Sequence, residues 1–257
     1  MKEIMNFIKL PNLPEGKVTA AAVGEDYTDE LEKALEPYGV RVLRCPRNPY
    51  VDPRLSSHID LSLFHMGKNV FLLSKQAVDS GFAGELRQLG AEILVSDADF
   101  GKSYPNDASL CALSIGKIVF HSGEICERRI RNMFGNELIS VKQGYAKCAV
   151  CPVSENAAIT ADKGLIKAMR REGIEVLEIT PGFIALEGFK EGFIGGSALK
   201  LSSDIMAFTG TLERHPDKQK IEEFLKQHGI RPVYLTERPA FDAGSIIPLC
   251  EEGEICK

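Results

Sequence analysis

One arrangement is written into this chain five times. A helix ends at a glycine, and a short β-branched run begins at the next residue. The glycines are Gly39, Gly90, Gly135, Gly173 and Gly229, followed by Val-Arg-Val-Leu-Arg, Ala-Glu-Ile-Leu-Val, Asn-Glu-Leu-Ile-Ser-Val, Ile-Glu-Val-Leu-Glu-Ile and Ile-Arg-Pro-Val-Tyr-Leu. Glycine fits that position because the residue closing a helix often takes positive φ. The helices ahead of it carry an apolar stripe, as in Leu165, Ile166 and Met169 before Gly173, and Ile221, Phe224 and Leu225 before Gly229.

Two strands precede each helix. The spacing puts them at 60–64 and 69–73, 107–113 and 117–120, 148–153 and 158–160, and 197–201 and 205–208, each pair joined by a turn. The fifth unit is split: a strand at 245–249 belongs with a strand at 17–23, the helix 28–37 and the strand after Gly39. Repeats that close on themselves through the two ends predict a five-fold pseudosymmetric α/β propeller of strand-strand-helix-strand units, because closure removes exposed sheet edges. The expected organisation is a single domain over 1–257, with repeats near 58–97, 104–143, 145–182 and 193–238, and a fifth formed by 241–257 joined with 17–46. The competing architecture is an open α/β sheet of mixed strands.

Composition removes several function classes. Lysine and arginine number 31 against 36 acidic residues, a net charge of −5. That balance gives no support for a phosphate backbone as partner and is compatible with a small cationic one. The first eleven residues lack the apolar core of a signal peptide, and no apolar run is long enough to span a membrane. Seven cysteines, an odd number, at 45, 111, 126, 148, 151, 250 and 256, read as reduced thiols in a cytoplasm.

In a ring of repeats the residues opening each first strand face the axis. They are His58-Ile-Asp60, Asn106-Asp107, Lys147-Cys148, Gly195-Gly-Ser197 and Asp242-Ala-Gly-Ser245. One cysteine, one histidine and several carboxylates at a common centre are the materials of nucleophilic catalysis on a cationic carbon. Cys148-x-x-Cys151 could also be half of a zinc site or a redox pair, but along a strand positions i and i+3 face opposite ways, and no cofactor is expected. Gly195-Gly196 reads as a close-packed strand start, since no phosphate-loop pattern completes it.

On these residues the chain resembles the pentein fold of the guanidine-modifying enzymes, such as arginine deiminase, agmatine deiminase and dimethylarginine dimethylaminohydrolase. His58-Ile-Asp60 is similar to the His-x-Asp strand of that superfamily, and Cys148-Ala-Val-Cys-Pro-Val to its cysteine strand. Asp242-Ala-Gly-Ser245 resembles its acidic-Gly-Gly-Asp turn, with Asp for Glu and Ser for the last Asp. The whole chain also resembles a bacterial family of that fold with no assigned activity. The resemblance implies Cys148 as nucleophile, His58 as acid and base, Asp242 as its orienting acid, and Asp60, Asp107 and Asn106 as substrate-binding residues.

The order along the chain departs from those enzymes, where acid motif, histidine and cysteine follow one another. Here histidine is in repeat one, cysteine in repeat three and the acidic turn in repeat five. That is the same arrangement rotated by two blades. A collinear alignment instead puts Gly244-Ser245 at the nucleophile and Lys147-Cys148 at the histidine, which implies a non-catalytic binding platform like the ribosome anti-association factor of this fold. A metal or redox protein is the third reading.

Overall fold

The computed structural model describes residues 5–253. In chain order the strands are β1 (Met5–Phe7), β2 (Val18–Gly24), β3 (Arg41–Cys45), β4 (Leu63–Gly67), β5 (Val70–Leu73), β6 (Glu92–Val95), β7 (Leu113–Ile115) and β8 (Ile118–His121). They continue with β9 (Leu138–Ser140), β10 (Val150–Ser154), β11 (Ala157–Thr160), β12 (Glu175–Glu178), β13 (Ala198–Ser202), β14 (Ile205–Phe208), β15 (Arg231–Tyr234) and β16 (Ile247–Glu252). They form five small sheets, β4-β5-β6, β7-β8-β9, β10-β11-β12, β13-β14-β15 and β1-β16-β2-β3.

Each sheet obeys one rule: its first pair is antiparallel and its next pair parallel, as in Leu63 opposite Leu73 and Val70 beside Glu92. In the fifth sheet β16, β2 and β3 do this, with Ile247 opposite Ala22 and Ala20 beside Arg41, and β1 adds a further antiparallel strand, Phe7 opposite Cys250. Helices return the chain for the parallel strand. They are α1 (Glu25–Leu35), α2 (Lys75–Val78) with α3 (Gly81–Gln88), α4 (Arg128–Phe134), α6 (Lys163–Arg171) and α7 (Lys218–Gln227), while α5 (Ala146–Ala149) is a single turn ahead of β10. The five glycines all take positive φ, from 47° at Gly135 to 100° at Gly90, which is why the repeat was visible.

The cores lie between sheets rather than within them. Phe64 and Leu72 meet Val119 and Ile130, and Leu113 and Phe120 meet Val150 and Leu165. Val153 and Ile159 meet Phe208 and Leu225, Val18 and Leu35 meet Leu199 and Leu201, and Ala22 and Leu249 meet Phe71 and Leu73. Each sheet therefore shares one core with the sheet before it and another with the sheet after it, last with first included.

The residues expected to face a ring axis do not open strands, contrary to the sequence expectation. Asp60 lies in a 3₁₀ turn, Ile59–Leu61, Cys148 in α5 and Ser197 in a 3₁₀ turn, Gly195–Ser197. Asp107 precedes β7 by six residues, and Ser245 stands just before β16. A turn can aim neighbouring polar groups at one point, whereas a strand would send every second one into a sheet core. No helix among the described residues is long and apolar enough to cross a membrane.

Two buried histidines make stability sensitive to acid. His65 stacks on Phe71 at 4.4 Å with its Nε2 2.8 Å from the Lys68 carbonyl, and burial pulls its pKa down to about 4. His121 sets Nε2 2.9 Å from both the Ala108 and Gly144 carbonyls, and burial lowers its pKa too. As pH falls through the ordinary histidine value of about 6.5, the unfolded chain takes up protons that the folded chain refuses, so stability present above that pH is lost toward pH 4. For His65 the loss amounts to up to about 3 kcal/mol. Denaturant titrations at pH 7 and 4.5 should show a shallower acid limb in His65→Gln; parallel limbs would contradict the assignment.

Candidate active site

Four of the residues singled out in the sequence come together in the interior. Cys148, His58, Asp60 and Asp242 are all within 3% of complete burial. One donor atom each of His58, Asp60 and Cys148 lie within 4.8 Å of one another. The Cys148 thiol donates to Asp60 Oδ2 at 2.7 Å, and its Sγ is 3.8 Å from Asp242 Oδ1.

The surrounding backbone fixes these side chains. Asp242 accepts from the Phe193 amide at 2.9 Å through Oδ2 and from the Gly244 amide at 2.8 Å through Oδ1. Gly244 takes φ 68° and faces the His58 Cα so closely that a Cβ there would lie 2.2 Å from it, so only glycine lets the two segments meet. The Gly244 carbonyl accepts from the Asp60 amide at 3.3 Å. Gly195-Gly196 is close packing, as read: a Cβ on Gly196 would stand 1.9 Å from Asp242 Oδ1. The charge of His58 opposes the rise that burial imposes on Asp242, with no hydrogen bond joining the two side chains.

Asp107 is buried too, and the Tyr145 hydroxyl donates to its Oδ2 at 2.8 Å. The Tyr145 ring packs on the apolar cluster that holds Cys148, Cys111, Leu55 and Phe193. Asn106 is not brought in. It is exposed and lines a separate surface cavity of about 370 Å³ with Asp97, Ser109 and Glu127. One residue along a turn separates inward from outward, and the neighbouring Asp107 takes the inward place.

Burial raises the Cys148 thiol well above its ordinary pKa, with Cys111, Asp242 and Asp60 pushing the same way. Asp242 is raised by burial and then by Asp60, with His58 opposing; Asp107 is raised by burial. At rest the centre thus holds a neutral thiol among acids. A cation arriving between them would reverse that balance. Two buried atoms of this group have no partner, His58 Nε2 and Asp60 Oδ1, and neither does Asp107 Oδ1.

Cys151 does not join Cys148. Its Sγ packs 3.8 Å from Met206 Sδ in another core, so the Cys-x-x-Cys half-site is not made. The His58, Asp60 and Cys148 donors are close enough for a metal ion, although Asp60 Oδ2 already accepts from both Cys148 and Ser245. The six described cysteines are free, and Cys256 lies outside the described residues. Sequence reasoning passed over Lys147, Cys111 and Tyr145 as site residues. The signal for Lys147 was a charged side chain inside the otherwise small and apolar run Ala146 to Val150.

Residues 22–247 match the family of unknown function DUF6873. The chain belongs to that family. A comparison with curated proteins finds no match. Among solved structures the chain is similar to an amidinotransferase of the saxitoxin biosynthetic pathway from Microseira wollei, with TM-score 0.58 and 12% identity over 96% of this chain and 99% of that one. It is also similar to C. jejuni agmatine deiminase, with TM-score 0.55 and 11% identity over 97% of each chain. A third is inosamine-phosphate amidinotransferase from Streptomyces griseus, with TM-score 0.55 and 12% identity over 95% and 97%. These are pentein-fold guanidine-modifying enzymes, and this DUF6873 chain shares their fold.

Proposed function

We propose that this protein is a cysteine-dependent enzyme acting on a guanidine or amidine carbon, in the rotated arrangement of the pentein site. The observation carrying the reading is a buried thiol clustered with His58 and Asp60, whose Nε2 and Oδ1 atoms have no hydrogen-bond partner. A planar cation rich in N–H groups satisfies such acceptors and supplies the charge that a buried thiolate needs. Neighbours sharing the fold modify agmatine or transfer amidino groups. The reading includes one domain built as a closed five-bladed ring, supported by the five shared cores, and a reducing cytoplasmic setting, supported by the free thiols.

The chemistry runs in two halves. With the guanidinium held by Asp60 and Asp107, the Cys148 proton passes to His58, and the sulfur bonds to the central carbon. His58, oriented by the charge of Asp242, returns that proton to the leaving nitrogen as the C–N bond breaks, leaving an amidino thioether. Water then gives a proton to His58 and adds to the carbon. The C–S bond breaks, and the proton returns to the sulfur. An amine in place of water would complete a transfer.

Labelling with a haloacetamidine, a cationic mimic carrying its own leaving group, tests this. Cys148 should be alkylated first among the thiols by peptide mass spectrometry, faster than by neutral iodoacetamide, and His58→Ala should slow it. Equal labelling of Cys148 and Cys250, or indifference to His58→Ala, would favour the binding platform.

A further inference from the structure

Lys147 has no place in the chemistry above, yet it is buried, 4% exposed, next to the nucleophile in sequence. Its Nζ donates to Ser245 Oγ at 3.2 Å, and the Ser245 hydroxyl donates to Asp60 Oδ2 at 2.6 Å. That same oxygen takes the Cys148 thiol proton at 2.7 Å. A line of hydrogen bonds thus runs from an ammonium to the sulfur through two buried side chains, Ser245 and Asp60.

Two features set this line apart from incidental packing. Burying an ammonium is expensive unless it is paired, so an apolar side chain of the same length would fill the space at lower free energy. The other buried lysine, Lys200, directs its Nζ to the Val153 carbonyl at 2.8 Å, which leaves Lys147 as the buried lysine bonded into the cluster among the described residues. Ser245 is also fully buried and holds φ 75°, a left-handed backbone that strains non-glycine residues. Glycine would sit there without strain but would present no hydroxyl.

Resting on the guanidine reading, we propose that Lys147 is a positioning residue: through Ser245 it balances the charge of Asp60 and commits Oδ2 to the sulfur, leaving Oδ1 free for the substrate. The unpartnered state of Oδ1 beside a doubly bonded Oδ2 is the division such a role requires. The charge behind Asp60 also limits what the site accepts, because the incoming cation meets a carboxylate whose charge is partly answered.

The test compares two alkylating probes at one pH, neutral iodoacetamide and cationic chloroacetamidine, on wild type, Lys147→Met and Ser245→Gly. Without the ammonium, the thiolate beside Asp60 loses its counter-charge, so iodoacetamide labelling of Cys148 should fall about tenfold. Chloroacetamidine brings its own positive charge and should lose at most about threefold, so the ratio of the two rates rises in both variants. A merely structural lysine would slow both probes equally, and an unchanged ratio overturns the proposal while the amidine preference of wild type still upholds the guanidine reading. Absence of that preference in wild type overturns both. Ser245→Gly keeps the lysine and relieves the backbone, so it carries the test if Lys147→Met does not fold.

Discussion

Cys148→Ser should abolish turnover of any guanidine or amidine substrate, by at least about 10³-fold, while leaving the protein folded. The serine hydroxyl is smaller than the thiol and can still donate to Asp60 Oδ2, the partner Cys148 uses at 2.7 Å, so no buried polar group is orphaned. What is lost is nucleophilicity. A thiol in this site can be ionised by an arriving cation, whereas a serine hydroxyl, with a far higher intrinsic pKa, cannot. The measurement is a screen of small guanidines for ammonia release or amidino transfer, with unfolding midpoints taken alongside. Activity surviving in Cys148→Ser would shift attention to Ser245, which the collinear alignment places at the nucleophile.

The fold was legible because its punctuation is chemical. Five helix-closing glycines at left-handed φ are a backbone requirement that sequence must state openly, and the strands on either side follow from them. The union of both chain ends in one sheet followed from counting units: four complete and one halved. The local form of the axial segments was not legible. Asp60-Leu61 and Cys148-Ala149 open stretches that the pattern reads as strand, and the structure turns them instead, within Ile59–Leu61 and Ala146–Ala149. Lys147 shows the same limit at the site, since its long side chain leaves Cys148 and reaches a hydroxyl 98 positions away. Residue type and repeat position single out His58, Asp60, Cys148 and Asp242, which lie together in the interior. They could not find groups whose role depends on where a flexible chain ends, nor tell Asp107 from Asn106 on an irregular turn.

Gly196→Ala should disable the same centre without replacing any of its functional side chains. Gly196 is not in a left-handed conformation, so alanine meets no backbone penalty; the conflict is purely steric. The added Cβ would lie 1.9 Å from Asp242 Oδ1 and 2.4 Å from its Cγ. Asp242 cannot swing aside cheaply, because both oxygens are tied to amides, those of Phe193 and Gly244. The Gly196 carbonyl also accepts from the Ala243 and Ser245 amides at 3.0 and 3.2 Å, so moving the glycine instead would drag the whole acidic turn. Relief by either route leaves buried donors unpaired and costs about 2–4 kcal/mol. It also pulls Asp242 from beside His58 and Cys148, and amidine labelling of Cys148 should fall about a hundredfold, the scale expected when a positioned charge is displaced. Gly39→Ala is the matching control: its φ of 72° carries strain of about 1 kcal/mol, but nothing lies within 4 Å of the new Cβ. It should lower stability modestly and leave Cys148 labelling at the wild-type rate. If Gly196→Ala also labels at that rate, Asp242 does not serve the thiol, and the acidic turn belongs to the fold alone.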